Sequence, residues 1–196
     1  MTRGGVGAAA VGLARGAVER TVRYAAEKRI NGHRLIDEGW VQFALADVMK
    51  DIINLRHAWV DFAVAIDFYH VMKLMNNPIT DIALKLAPRG LLFSDALEQL
   101  AGTAAVNSLV VGLKKRLVPQ EVVENCIRHG SALKAAGTDL AMRATSLCCD
   151  IVGLEGMRRH YGIEKCFRDA KVTQIYEGTN QTNRLDVFER EVGYEF

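Results

Sequence analysis

The chain has 196 residues, 49% of them apolar and 24% charged, with a formal net charge of +2. That composition can bury a core and excludes a disordered chain, while 25 basic against 23 acidic residues leave no cationic surface of the kind nucleic-acid binding demands. The longest apolar runs, such as 109–113, fall far short of the roughly 20 residues that cross a bilayer, and residues 1–13 lack the apolar stretch of a signal peptide, so no membrane span and no export are expected.

In chain order, Val6, Ala10, Leu13, Ala17 and Tyr24 share one face of a first helix, predicted to end near Gly32. Gly7, Gly12 and Gly16 each weaken that helix by roughly 1 kcal/mol relative to Ala, so close approach of another backbone or a ligand is expected there. From Val41 the apolar residues Leu45, Val48, Ile52, Leu55, Trp59, Phe62, Ile66 and Tyr69 alternate steps of four and three. This seam predicts a helix over roughly 39–73, about 50 Å long and suited to a bundle, which Asn76-Asn77-Pro78 ends. Between 77 and 119 the pattern is irregular, although Asp95 and Glu98 resemble a capping box opening a helix toward Leu113.

Further helices are expected over about 120–130 and 131–152, the second with Leu140, Ala144, Leu147 and Ile151 on one face and broken by Gly153 and Gly156. A last helix begins near Thr179, a good N-cap type. No strand pair and no repeat is expected, and the fold class is all-α. The four cysteines, Cys126, Cys148, Cys149 and Cys166, show neither C-x-x-C spacing nor neighbouring paired histidines. Free thiols, no metal site and a cytoplasmic location are expected from that usage.

Chemistry points to Tyr176-Glu177-Gly178-Thr179-Asn180-Gln181. There a carboxylate is followed by a glycine and then by a helix N-terminus, so backbone can approach a ligand beside free N–H groups. Such a carboxylate suits a general base, the plainer alternative being that Glu177 satisfies helix-end amides.

The run R-D-A-K-V-T-Q-I-Y-E-G-T-N-Q-x-x-R-L from Arg168 to Leu185 resembles the C-terminal signature of the flavin-dependent acyl-CoA dehydrogenases. Thr2-Arg3, Gly12-Leu13-Ala14, Ala17, Tyr24-Ala25 and Gly32 resemble the opening helix of that family's C-terminal domain, and Val41-Gln42 with Leu45-Ala46-Asp47 its second helix. The resemblance implies an up-and-down helical bundle over 1–196, with an extra helical insertion near 77–119. The family's N-terminal helical and middle β domains are not in this sequence, so the chain by itself is expected to be inactive.

The family's reaction implies that Glu177 abstracts the α-proton of an acyl-CoA thioester while hydride leaves the β-carbon for FAD, giving a trans-2-enoyl-CoA. The backbone N–H of Glu177 would help bind the thioester oxygen, and Gly178 and Arg3 would lie by the substrate. Some members carry the base on the first helix, immediately before the arginine matching Arg3. Here Thr2 stands there, and a hydroxyl cannot serve, which again points to Glu177.

For FAD the resemblance implicates Gln42, Thr179 and Gln181, with Gly153 at the turn that meets its adenine end. Lys28 stands where the family has an arginine, and lysine lacks the bidentate fork, so Arg29 next to it is assigned to the phosphate. Asp150 replaces an amide in the same turn and is not assigned. These contacts imply a homo-oligomer, a dimer or tetramer, with an electron-transfer flavoprotein or a similar acceptor as a partner. The alternative is a non-catalytic assembly module derived from the same fold.

Overall fold

The computed structural model describes residues 2–68 and 120–193. The predicted stop at Asn76-Asn77-Pro78, the insertion near 77–119 and the capping box at Asp95 lie outside them. Two compact units form, one of residues 1–62 with 127–196 and one of 63–126.

Helix α1 spans Thr2–Glu27. It stops short of Gly32, because the chain is already extended at Arg29 and Ile30, and Asn31 and Gly32 follow with φ of 51° and 87°. They turn the chain between the two-residue strands β1 (Arg29–Ile30) and β2 (His33–Arg34), which pair antiparallel. No strand pair is expected from the sequence pattern, yet Asn-Gly is the dipeptide that suits a tight hairpin, since both positions need positive φ. A 3₁₀ turn over Leu35–Asp37 leads into α2, Gly39–Phe68.

The seam of α2 is buried at Val41, Leu45, Val48, Ile52 and Phe62, as its four-three spacing requires. Helix α3 runs Gln120–Gly156 as one element and not as two, with its break at Gly153, where φ is 60° and ψ −169°. Gly130 does not interrupt it. A Cβ there would lie 3.5 Å from the ring edge of Phe62, so this glycine makes room for an aromatic side chain.

Helices α1 and α3 cross backbone to backbone. A Cβ on Gly7 would stand 2.6 Å from the carbonyl oxygen of Leu133, and one on Gly137 2.8 Å from that of Gly7, so the close approach expected at Gly7 is another helix. At Gly12 nothing lies within 4 Å. The core beside the crossing holds Ala10, Ala14, Leu140, Ala144 and Cys148.

The sequence pattern leaves 163–173 unassigned, but it forms α4, Ile163–Thr173, which buries Ile163, Cys166, Ala170 and Thr173. Tyr24 near the end of α1 meets Tyr161 edge-on, with ring centroids 5.0 Å apart. Helix α5, Asn180–Val192, starts at Thr179, whose hydroxyl accepts from the N–H of Thr182 at 3.3 Å. That is the expected N-cap.

Candidate active site

Glu177 and Gly178 link α4 to α5 with successive φ of 57° and 90°. For a residue with a Cβ the left-handed region costs about 1–2 kcal/mol, so the surroundings must hold Glu177 there. Three sets of bonds do so. The amide of Asn180 donates to the carbonyl of Gln174 at 3.1 Å. Asn183 Nδ2 donates to the carbonyls of Gly178 and Thr179, at 2.9 and 2.8 Å. Lys134 Nζ, reaching up from α3, donates to the carbonyls of Gln174 and Gly178 and to Asn180 Oδ1, at 3.1, 2.6 and 2.8 Å.

The Glu177 side chain is exposed, and the head of α1 meets it. Thr2 Oγ1 donates to Glu177 Oε2 at 2.7 Å. Arg3 turns the other way, donating to Ser131 Oγ at 2.8 Å and pairing with Asp186 on α5. Its guanidinium still comes within 3.8 Å of where a Cβ of Gly178 would be. The sequence-derived residues Arg3, Glu177, Gly178, Thr179 and Gln181 thus gather where α1 and α5 begin, with Thr179 and Gln181 exposed.

Sequence pattern alone misses the support beneath that turn. Lys134, Thr138 and Asp139 sit on one side of α3. Thr138 Oγ1 accepts from Asn180 Nδ2 at 2.8 Å, and Asp139 Oδ1 accepts from Gln174 Nε2 and Asn180 Nδ2, both at 2.7 Å. Asp139 also pairs with Arg184. A signal was present, because a lysine interrupts an otherwise apolar and small helix face. Burial lowers the pKa of Lys134, the carboxylate of Asp139 opposes that shift, and the Arg3 charge reinforces it.

Arg29, Gln42 and Gly153 are not brought to this turn. Arg29 is exposed in the hairpin, its Nη1 donating to the carbonyl of Gly32 at 3.2 Å. Gln42 Nε2 donates to the carbonyl of Ile36 at 3.0 Å. Gly153 lies beside the Lys28–Glu155 ion pair, which ties the far end of α1 to the turn ending α3. Thr2 and Lys28 bracket α1, so the two groups stand about 39 Å apart at 1.5 Å per residue. Nothing lies within 4 Å of where a Cβ of Gly153 would be, so its backbone faces open space. Among the described residues no group of His, Cys, Asp and Glu is placed to hold a metal ion, and no helix is long and apolar enough to cross a membrane.

Comparison with known proteins supplies the family. The model of the acyl-CoA dehydrogenase C-terminal domain matches residues 1–85 and 94–192. An acyl-CoA dehydrogenase of Bacillus subtilis is 28% identical over 181 residues, 92% of this chain and 34% of that protein. A cyclohex-1-ene-1-carbonyl-CoA dehydrogenase of Geobacter metallireducens is 40% identical over 62 residues, 32% of this chain and 16% of its own length. Butyryl-CoA dehydrogenase of Megasphaera elsdenii superposes with a TM-score of 0.63 at 23% identity, covering 97% of this chain and 36% of that one, which speaks for the fold. The chain spans about a third of the length of the relatives matched along most of it. With that match through both the head of α1 and the Glu177 turn, this chain belongs to the acyl-CoA dehydrogenase family and carries its C-terminal helical domain.

Proposed function

We propose that this chain supplies the catalytic base of a flavin-dependent acyl-CoA dehydrogenase, which converts an acyl-CoA thioester to the trans-2-enoyl-CoA. The observation that carries this is Glu177 itself. It is an exposed carboxylate in a left-handed turn at the head of α5, fixed from below by Lys134 and met by Thr2. That conformation costs a residue with a Cβ about 1–2 kcal/mol, which the bonds around the turn offset.

In the reaction Glu177 takes the α-proton onto its carboxylate. Its backbone N–H and the Gly178 turn are available to the thioester oxygen, which carries the developing negative charge. FAD, when bound, supplies the acceptor for the hydride that leaves the β-carbon. Thr179 and Gln181 would hold it from the head of α5, and Arg29, Gln42 and Gly153 from the far end of α1.

The fit is to two half-sites. One dinucleotide cannot bridge the length of α1, so the two groups serve two different cofactors. This supports a homo-oligomer in which each FAD lies against residues of neighbouring subunits. The Glu177 carboxylate is open to solvent on this chain, so the wall that covers it comes from substrate and from further protein. A redox partner such as an electron-transfer flavoprotein belongs to the same proposal, as does a cytoplasmic location.

The test is Glu177→Gln in the assembled holoenzyme. Anaerobic bleaching of the flavin by acyl-CoA is expected to slow about 10²- to 10⁴-fold, with FAD still bound. A wild-type rate in that variant overturns the assignment.

A further inference from the structure

Lys134 is fully buried. A buried ammonium ordinarily has a carboxylate against it, because desolvating an unpaired charge is costly. Here its three donated bonds go to neutral oxygens, those of Gln174, Gly178 and Asn180. The nearby acid, Asp139, is spent on Gln174, Asn180 and Arg184. An ammonium has three protons to donate, and all three of these bonds converge on one short segment.

That segment is the one that bears Glu177. Gln174 closes α4, Gly178 follows Glu177, and Asn180 opens α5. The cation therefore clasps the turn on both sides of the strained residue. It touches neither the carboxylate nor any atom that reacts.

We propose that Lys134 is a positioning residue for Glu177, its ammonium holding the carbonyls of Gln174 and Gly178 and the amide of Asn180 so that the carboxylate is presented in one orientation. This rests on Glu177 as the base. A charge is retained in the interior because no apolar side chain of that length could satisfy three convergent oxygens.

The test is Lys134→Met, which keeps the stem and removes the charge. In the assembled holoenzyme kcat is expected to fall about 10- to 100-fold, as for a misplaced catalytic group, while KM for acyl-CoA and FAD content stay near wild type. Amide hydrogen exchange over 175–180 should quicken about tenfold or more, with the protection of α1 unchanged. In Lys134→Ala, added propylammonium should recover part of the kcat, whereas propanol should not.

Unchanged kcat, or unchanged exchange over 175–180, overturns the proposal. If Lys134→Met does not fold, Asn180→Ala removes one of the three partners and should lower kcat about 3- to 10-fold at constant KM, and wild-type kcat there overturns it instead. Glu177→Gln separates the two claims. An active Glu177→Gln defeats the base assignment, whereas an inactive Glu177→Gln beside a fully active Lys134→Met defeats only the role of Lys134.

Discussion

Thr2 and Glu177, 175 positions apart in sequence, share a hydrogen bond of 2.7 Å from the threonine hydroxyl to the carboxylate. It joins the first turn of α1 to the turn before α5. A donor at that point restricts the rotamer of a side chain that is otherwise exposed. Thr2→Val keeps the shape and deletes the donor, so kcat/KM is expected to fall about 2- to 10-fold, the size of one exposed hydrogen bond. Thr2→Ser should restore it. Steady-state kinetics on the three proteins decides, and equal values would mean that the bond does not orient the Glu177 carboxylate.

The strongest periodic signal, the seam of α2, was legible because apolar burial has a fixed spacing on a helix, and Val41 through Ile52 are buried as that spacing demands. Glu177 and the Thr179 cap were legible because a carboxylate, a glycine and a capping hydroxyl occur in a local order. Helix α4 was not, since its four buried positions, Ile163, Cys166, Ala170 and Thr173, include small and weakly apolar side chains among charged ones. Gly130 reads as a break from composition alone, whereas its role depends on the ring of Phe62, distant in sequence. Lys134 stands out as a charge on an apolar and small helix face, but what it holds was hidden for the same reason. Its three acceptors lie 40 to 46 positions away, and no local pattern announces them.

The crossing of α1 and α3 at Gly7 and Gly137 sets a sharp contrast with Gly12. Gly7→Ala would press a Cβ to 2.6 Å from the Leu133 carbonyl, and two helices must move apart to relieve it. A loss of about 1–3 kcal/mol is expected from that overpacking. Gly12 lies in the same helix with nothing within 4 Å, so Gly12→Ala should gain up to about 1 kcal/mol through helix propensity. Urea denaturation of both variants reads the two signs. Equal effects would show that propensity, and not the crossing, governs this helix.

Cys148 gives the core a pH dependence. Burial pushes its thiol from 9.0 up to about 11, so between those values the unfolded chain has released a proton that the folded chain still holds. The sign follows directly, with the contribution fully present below pH 9 and lost as pH rises through 11. Two pH units correspond to about 2–3 kcal/mol for a group without solvent exposure. Cys148→Ala should therefore show a shallower fall of stability between pH 9 and 11, measured under reducing conditions. Burial raises the thiols of Cys149 and Cys166 as well, so part of the slope should persist. An unchanged slope would place its origin elsewhere.

The separation of the two groups along α1 makes the proposed oligomer testable by mixing. Glu177→Gln removes the proposed base at one end. Arg29→Glu puts a negative charge at the other, where a phosphate is expected, and it changes an exposed side chain whose bond is local, from Nη1 to the carbonyl of Gly32. Each variant alone should be inactive. If every site draws on both ends from different subunits, a mixed dimer contains one site with both groups intact and one with neither. Random reassociation of equal amounts should then restore about a quarter of wild-type activity, since half the dimers are mixed and each of those has one good site. Were both ends needed within a single subunit, no mixture could regain activity, and the half-site arrangement would be wrong.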